Sequence, residues 1–348
     1  MNIYFTYKRN MILWITLFAI LCRASADEIS YPMLQLQEDI GQSKNYWLKL
    51  VQQVEAANQL RFSPIIQDIQ YDVIQVLKEA FPNKTTKVDC FGSRVVGVGN
   101  ENSDLDMFVN IEYPVQTAVQ QLYTTVDVLH KRANQTWKIV NTFVYTRVPI
   151  ICLTHIQSKI KVDINFSKGA APARDLLVSY MFDLQPIGRY MVHYLRDRAR
   201  SLLLNFQLRS HLHTLMVIYF LQISQLLPPV KNLQQNLVPD MGPAITKFNN
   251  LSHVELGIQR VDVNPRTIQD ALQQYFNFYQ SFNYDKYTIS PYYGIWITRS
   301  ELINLLPRGY TLLAVEWMKP VLLQDIIYLN DNNADRISLE HLKQFLSI

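Results

Sequence analysis

Asp104 and Asp106 are separated by one apolar residue in Asn102-Ser103-Asp104-Leu105-Asp106-Met107-Phe108-Val109. On a β-strand alternate side chains share a face, so this spacing aims both carboxylates at one point. Two carboxylates held side by side repel, and a divalent cation relieves the repulsion; all-oxygen ligation suits Mg²⁺ or Mn²⁺ better than zinc or copper. Asp163 lies on another alternating stretch, Lys161-Val162-Asp163-Ile164-Asn165-Phe166, and is the candidate third acid. Three acids can hold two ions, which activate an attacking hydroxyl and neutralise a leaving pyrophosphate. Upstream, in Cys90-Phe91-Gly92-Ser93-Arg94, Gly92 lets backbone N–H groups approach a phosphate and the Ser93 hydroxyl adds a donor. The chemistry implied is nucleotidyl transfer. Asp-x-Asp and Gly-Ser taken singly are commonly solvated strand faces or turns, so the reading rests on their joint order and spacing.

The elements that must position these residues follow from periodicity. Helical spacing runs from Tyr46 to about Ala80, with Ser63-Pro64 marking a new helix start. Strands are expected near 87–91, 105–111, 142–153 and 159–166, with a helix near 115–134 that carries Val115, Val119, Leu122, Val126 and Leu129. After Phe166 the pattern becomes long helices near 174–182, 187–204, 211–227 and 267–282, interrupted by Pro228-Pro229 and a polar stretch around 231–266. Tyr287 to Trp296 reads as strand-like, and Ser338 to Ile348 as a terminal helix. The expected class is α+β: a leader at 1–26, a helical segment at 27–62, a mixed-sheet catalytic domain at 63–170 and a mainly helical domain at 171–348. Lys159 and Lys161 share the Asp163 face and could offset the acids, touch phosphate or be solvated. On the helix at 187–204, Arg189, Arg196 and Arg200 share one face and Tyr190 and Tyr194 another, which gives either a phosphate-facing or a solvated basic face. Tyr275, Phe276, Phe278, Tyr279 and Phe282 recur at helical spacing, and core packing explains them better than base stacking.

Gly-Ser, about ten residues, Asp-Leu-Asp-apolar and a later strand Asp together resemble the polymerase-β nucleotidyltransferase superfamily. Within it the chain is similar to template-independent poly(A) and poly(U) RNA polymerases, most of all the mitochondrial poly(A) polymerase branch. The likeness rests on Phe91-Gly92-Ser93, Asp104-Leu105-Asp106-Met107-Phe108, Leu215 to Gln222 and Tyr275-Phe276-Asn277-Phe278-Tyr279, and covers roughly residues 60 to 330. It implies a polymerase-β-like nucleotidyltransferase palm joined to a helical poly(A)-polymerase-associated domain. It further implies metal binding by Asp104, Asp106 and Asp163, and triphosphate contact by Gly92 and Ser93. The family's basic pair beside the triphosphate falls on Arg196 and Arg200, with one inserted residue. Ser210 and His211 fall at the nucleotide, with His211 replacing the base-stacking aromatic. The Asn-Thr or Ser-Ser pair near the ribose becomes Ala173-Arg174 or Arg174-Asp175, and the late Asp-Pro or Asn-Pro motif is absent from Val315 to Pro320.

With 348 residues, about half of them apolar, the chain can bury a substantial core, which excludes a disordered protein. A net charge of +4 gives no strongly cationic body, so any RNA must be held by a local groove. Cys22, Cys90 and Cys152 supply neither a disulfide framework nor metal-ligand spacing; Cys90 and Cys152 read as reduced strand residues, with a buried bridge as the alternative. Lys8 and Arg9, the apolar run Met11 to Cys22 and Ala24-Ser25-Ala26 resemble a cleavable secretory leader, too short to span a bilayer comfortably. Three basic and no acidic residues before position 27 also fit a mitochondrial leader, the address the resemblance favours along with the cytoplasm. Sequons at Asn83, Asn134, Asn165 and Asn250 do not decide between them. The expected activity is template-independent extension of an RNA 3′ end, with ATP the favoured donor, two Mg²⁺ or Mn²⁺ ions and no membrane span once the leader is removed. The alternatives are terminal uridylyl transfer, nucleotide transfer to a protein or small molecule, and a catalytically silent relative that binds RNA or protein.

Overall fold

The computed structural model describes residues 44–112, 116–132, 135–146, 148–166, 171–234, 250–306 and 318–347. The leader, Val115, the Asn134 sequon and Val315 to Trp317 of the late segment lie outside them.

Helix α1 (Lys44–Arg61) is followed by α2 (Ile65–Ala80), which begins after Pro64 and buries Ile69, Val73, Val76 and Leu77 on one side. Proline supplies no backbone N–H, so the chain turns there into the new helix. Next come β1 (Thr86–Phe91), the short α3 (Ser93–Val96), β2 (Leu105–Ile111) and α4 (Ala118–Lys131), which opens on a Thr117–Gln120 capping box. The remaining strands are β3 (Trp137–Phe143), β4 (Ile150–His155) and β5 (Lys161–Asn165). The single strand expected over 142–153 is instead two strands, β3 ending at Phe143 and β4 beginning at Ile150. The register explains part of the error: a bulge at Val140 breaks the alternation of β3, so its first half does not read as strand.

The sheet order is β1-β2-β5-β4-β3. All neighbours are antiparallel except β2 and β5, which run parallel. One face, carrying Leu105, Met107, Val109, Ile151, Leu153, Val162 and Ile164, packs with α2 and α4 into a single apolar cluster. The opposite face is left for polar side chains.

A second, larger cluster is built from α5 (Ala171–Leu184), α6 (Ile187–Ser201), α7 (Ser210–Ile223), α8 (Val230–Leu233), α9 (Pro265–Gln280), α10 (Arg299–Leu305) and α11 (Leu339–Leu346). Helix α7 is its axis, since every residue from Leu212 to Gln222 is buried. Tyr275, Phe276 and Tyr279 are buried in it, as core residues. Only Tyr287–Thr288 (β6) and Ile297–Thr298 (β7) of the aromatic strand-like stretch and its margin form strand. Leu50, Val96 and Val98 belong to this cluster rather than to the sheet's, so the turn after Gly92 is gripped by the helical part.

Arg189 makes that grip polar as well. Its Nε donates to the Val96 carbonyl at 3.1 Å, and Nη2 donates to the Ser179 carbonyl at 3.2 Å and lies 2.8 Å from Asp183 Oδ1. Asp183 also takes a bidentate pair from Arg61, both contacts at 2.8 Å. Arg189 is therefore a buried tie between α1, α3, α5 and α6, and not part of the basic face that its spacing with Arg196 and Arg200 suggests. No described helix is long and apolar enough to cross a membrane.

Candidate active site

The site begins where β1 ends. Gly92 adopts φ 85° and ψ −169°, a backbone conformation that favours glycine. A Cβ there would stand 1.9 Å from Asp106 Oδ2, so the missing side chain is what lets the turn lie against the carboxylate. Phe91 pairs with Asp106 in the ladder, which sets this closeness by register.

On β2 the burial alternates, with Leu105, Met107 and Val109 inward and Asp106 on the open side; Asp104, two residues earlier, shares that side. On β5 Val162 and Ile164 are buried and Asp163 is open. Asp106 and Asp163 are direct register partners across the parallel β2–β5 pair. The three acids expected to converge therefore share one sheet face. Burial, then the charges of Asp163, Asp175 and Asp104, push the Asp106 carboxyl up to about 7. Asp163 is also raised, chiefly by burial, against the lowering effect of a hydrogen bond from the Cys152 thiol. Cys152 pairs with Asp163 across β4–β5, and burial with that carboxylate raises the thiol to about 12. Cys90 and Cys152 are both free and half-buried; Cys90, opposite Met107, packs against the apolar cluster as a reduced core residue, whereas Cys152 lies on the acid-bearing face.

Asp104 is delivered by the loop after α3, and Arg94 holds that loop. Arg94 is 2% exposed. Its Nε donates to the Ser103 carbonyl at 2.7 Å and its Nη2 to the Glu101 carbonyl at 2.9 Å. Ser103 Oγ accepts from the Asn100 backbone N–H at 2.9 Å. The sequence reading gave Arg94 no role; a basic residue directly after Gly-Ser was the available signal.

Asp175 is the second residue that reading missed as an acid of the site. It is 4% exposed, accepts from the Gly92 N–H at 2.7 Å and pairs with Arg174 Nε at 3.1 Å. Arg174-Asp175, one of the two pairs expected near a ribose beside Ala173-Arg174, thus turns toward the glycine turn and the acids. Arg174 is held charged by Asp175 and by Asp325. Asp325 fastens its own turn, accepting from Ile327 N at 2.7 Å, Tyr328 N at 2.9 Å and Asn333 Nδ2 at 2.9 Å. His211 sits among Arg174, Asp325 and Asp175; burial, then Arg174, lower it to about 4, and its Nε2 has no hydrogen-bond partner. The ring is neutral and half-buried in a polar corner. Ser210 opens α7, its carbonyl accepting from Thr214 Oγ1 at 2.9 Å.

On α6, His193 hydrogen-bonds to the Gly97 backbone, which lays that helix along the glycine turn. Arg196, one turn on, is lowered to about 10 by burial and by Arg200, and no acid among the described residues hydrogen-bonds it. Arg200 is more exposed and bonds Asp197 at 3.0 Å. Arg198 turns away to the Phe345 and Ser347 carbonyls. Arg196 and Arg200 are thus separated from the Arg189 tie and from Arg198.

The donor set could hold a divalent metal: it is all carboxylate oxygen, it gathers on one face, and its mutual repulsion shows in Asp106. Among the described residues no three such side chains yet stand at ligating distance of a common point. Gly-Ser turn, acid-bearing central strands and a helical domain gripping the turn define a nucleotidyltransferase fold. Residues 46–180 match the family model described as poly(A) RNA polymerase, mitochondrial-like, central palm domain. The chain is 25% identical to terminal uridylyltransferase 7 of Homo sapiens over 300 residues, covering 78% of this chain and 18% of that protein. It is 26% identical to the poly(A) RNA polymerase gld-2 homolog A of Drosophila melanogaster over 215 residues, covering 57% and 15%. It therefore spans less than a fifth of the length of either relative. The structure of mtPAP in complex with ATPγS matches at TM-score 0.65 and 17% identity, covering 93% of this chain and 72% of that one. The Cid1 poly(U) polymerase bound to MgGTP matches at TM-score 0.60 and 19% identity, covering 81% and 84%.

Proposed function

We propose that the protein extends RNA 3′ ends without a template, taking ATP as the favoured donor and UTP as the alternative. The observation that carries this reading is the in-register Asp106–Asp163 pair, with Asp104 on the same face and the Gly92 turn against Asp106. Asp104, Asp106 and Asp163 would hold two Mg²⁺ or Mn²⁺ ions. Bound there, such ions supply Lewis-acid activation of the attacking 3′-hydroxyl and charge neutralisation of the leaving group. The chain's own residues do the positioning. Gly92 keeps the turn close to Asp106, Ser93 offers its hydroxyl, and Arg196 and Arg200 face the charge that builds on the departing pyrophosphate. Arg196 is the stronger candidate of the two because Arg200 already has Asp197. The relatives named for poly(A) and uridylyl transfer support the class of donor, and their complexes with several nucleotides leave the base open. The leader supports either a secretory or a mitochondrial address, and the family likeness favours mitochondrion or cytoplasm.

A second reading has an observation of its own: Asp175 occupies the Gly92 N–H, a donor a phosphate would use, which suits a silent relative that binds RNA or protein. One experiment separates the two. Purified full chain is incubated with labelled oligonucleotide RNA, Mn²⁺ or Mg²⁺, and each NTP in turn. Extension that vanishes in Asp106→Asn and Asp163→Asn supports the transferase. A folded wild-type chain that binds RNA but adds no nucleotide overturns it.

A further inference from the structure

The sheet face that carries the acids does not stop at β5. Register places Cys152 of β4 beside Asp163, and Asn141 of β3 beside Cys152. A parallel row lies two residues away: Lys161 on β5, Thr154 on β4 and Lys138 on β3. On the other side a third row runs Asn165, Ile150, Phe143. The Val140 bulge makes this possible, because Lys138 and Asn141 are three residues apart and would otherwise point to opposite faces. Lys138, Asn141 and Lys161 are exposed, Phe143 is 45% exposed and Tyr145, just past the strand, is fully exposed. The strands β3 and β4 contain no acidic residue. Helices α2 and α4 cover the opposite face.

We infer that this open face of β5, β4 and β3 is the track for the single-stranded RNA upstream of the acceptor 3′ end, an assignment that rests on the function proposed above. Strands stand about 4.8 Å apart, so Lys161 and Lys138 offer positive charge at two points about 10 Å apart on a line leading outward from the acids. The rows are two residues, about 6.6 Å, apart along the strands. A sugar–phosphate backbone over the lysine row therefore directs its bases across Asn141 toward the outer row, about 13 Å from the lysines, where Phe143 is exposed, with Tyr145 beyond. Aromatic faces stack bases without regard to sequence, and lysines bind phosphate as point charges, the combination that holds single strands. Continuity with Asp163 and the absence of acids on the two outer strands favour RNA over a protein occupant.

The test uses full chain, a fluorescein-labelled 12-nucleotide RNA and the variants Lys138→Glu and Phe143→Ser, both remote from the acids. Anisotropy gives RNA affinity without turnover, and extension assays give KM for RNA and for NTP separately. The expected result is RNA affinity down about tenfold in each variant and more in the pair, a matching rise in KM for RNA, and KM for NTP unchanged. The salt dependence of binding should flatten in Lys138→Glu, since one phosphate contact is lost. Wild-type extension with variants that bind and extend like wild type overturns the track and leaves the transferase standing. RNA binding that the variants weaken, in a wild type that adds no nucleotide, supports the track and overturns the transferase. Variants that change only the sedimentation of the protein assign the β3 edge to self-association and overturn the track.

Discussion

Asp106 is the residue whose chemistry is most altered by where the fold puts it. Its carboxyl, raised to about 7, is protonated in the folded metal-free chain over a range where the unfolded chain is ionised. The unfolded state then binds fewer protons than the folded one, so stability falls as pH rises from about 4 toward 7 and levels off above. In EDTA, the thermal midpoint of wild type should decline across that window, and Asp106→Asn should remove most of this contribution and lie above wild type at pH 8. A variant profile parallel to wild type's would place the repulsion elsewhere. Much of this was legible in the sequence: strand alternation alone puts Asp104 and Asp106 together and Asp163 on a like face. Asp175 was not, because a helix-borne Asp next to an Arg looks like a solvated pair until the fold brings it 2.7 Å from the Gly92 N–H. His211 was expected in place of a base-stacking aromatic; that it stands beside Arg174, Asp175 and Asp325 follows from the fold and from no spacing in the sequence.

Among the elements, the loop between α3 and β2 decides whether Asp104 arrives. Two charge-assisted bonds from Arg94 to Ser103 and Glu101 set its shape. Arg94→Met removes both and should cost about 1.5–3 kcal/mol in urea denaturation, with turnover falling further than stability does. Lysine cannot reproduce the fork of a guanidinium, so Arg94→Lys should recover stability only in part. Equal stability of Met and Lys variants to wild type would show that the loop holds itself through Asn100 and Ser103. Element type was largely readable from periodicity, and helices α5, α6, α7 and α9 fall within a few residues of expectation. The split of 142–153 was hidden because β-branched and aromatic residues predominate from Phe143 through Val148, and the bulge at Val140 removes the alternation that would have marked β3.

For the whole molecule, the Arg61–Asp183–Arg189 tie joins the helical part to the turn that carries Ser93. Removing one partner of a buried pair costs on the order of 3 kcal/mol, toward the lower end here because Asp183 is half-exposed. Arg189→Met should lower the urea midpoint accordingly and also raise KM for NTP, because the Val96 carbonyl loses its anchor beneath the turn. A stability loss with KM unchanged would confine Arg189 to the core. No spacing rule could have separated Arg189 from Arg196 and Arg200, which lie on the same helix; only the approach of α1 and α3 to one end of it does so.

The lone parallel junction of the sheet also bears on the order in which the chain folds. β1 with β2, and β3 with β4 and β5, can each zip from a nearby turn, whereas β2 meets β5 only after the roughly fifty residues between them are in place. Contacts so distant in sequence close late, since loop entropy is lost before they repay it. That junction is where Asp106 comes beside Asp163, so like charges are brought together at the final docking and not earlier. Conservative truncations at the seam, Met107→Ala and Ile164→Val, should then speed unfolding while barely slowing folding, and Val88→Ala within the β1–β2 hairpin should slow folding more. Stopped-flow chevrons in EDTA would measure both, and a seam already formed in the transition state would reverse the two effects.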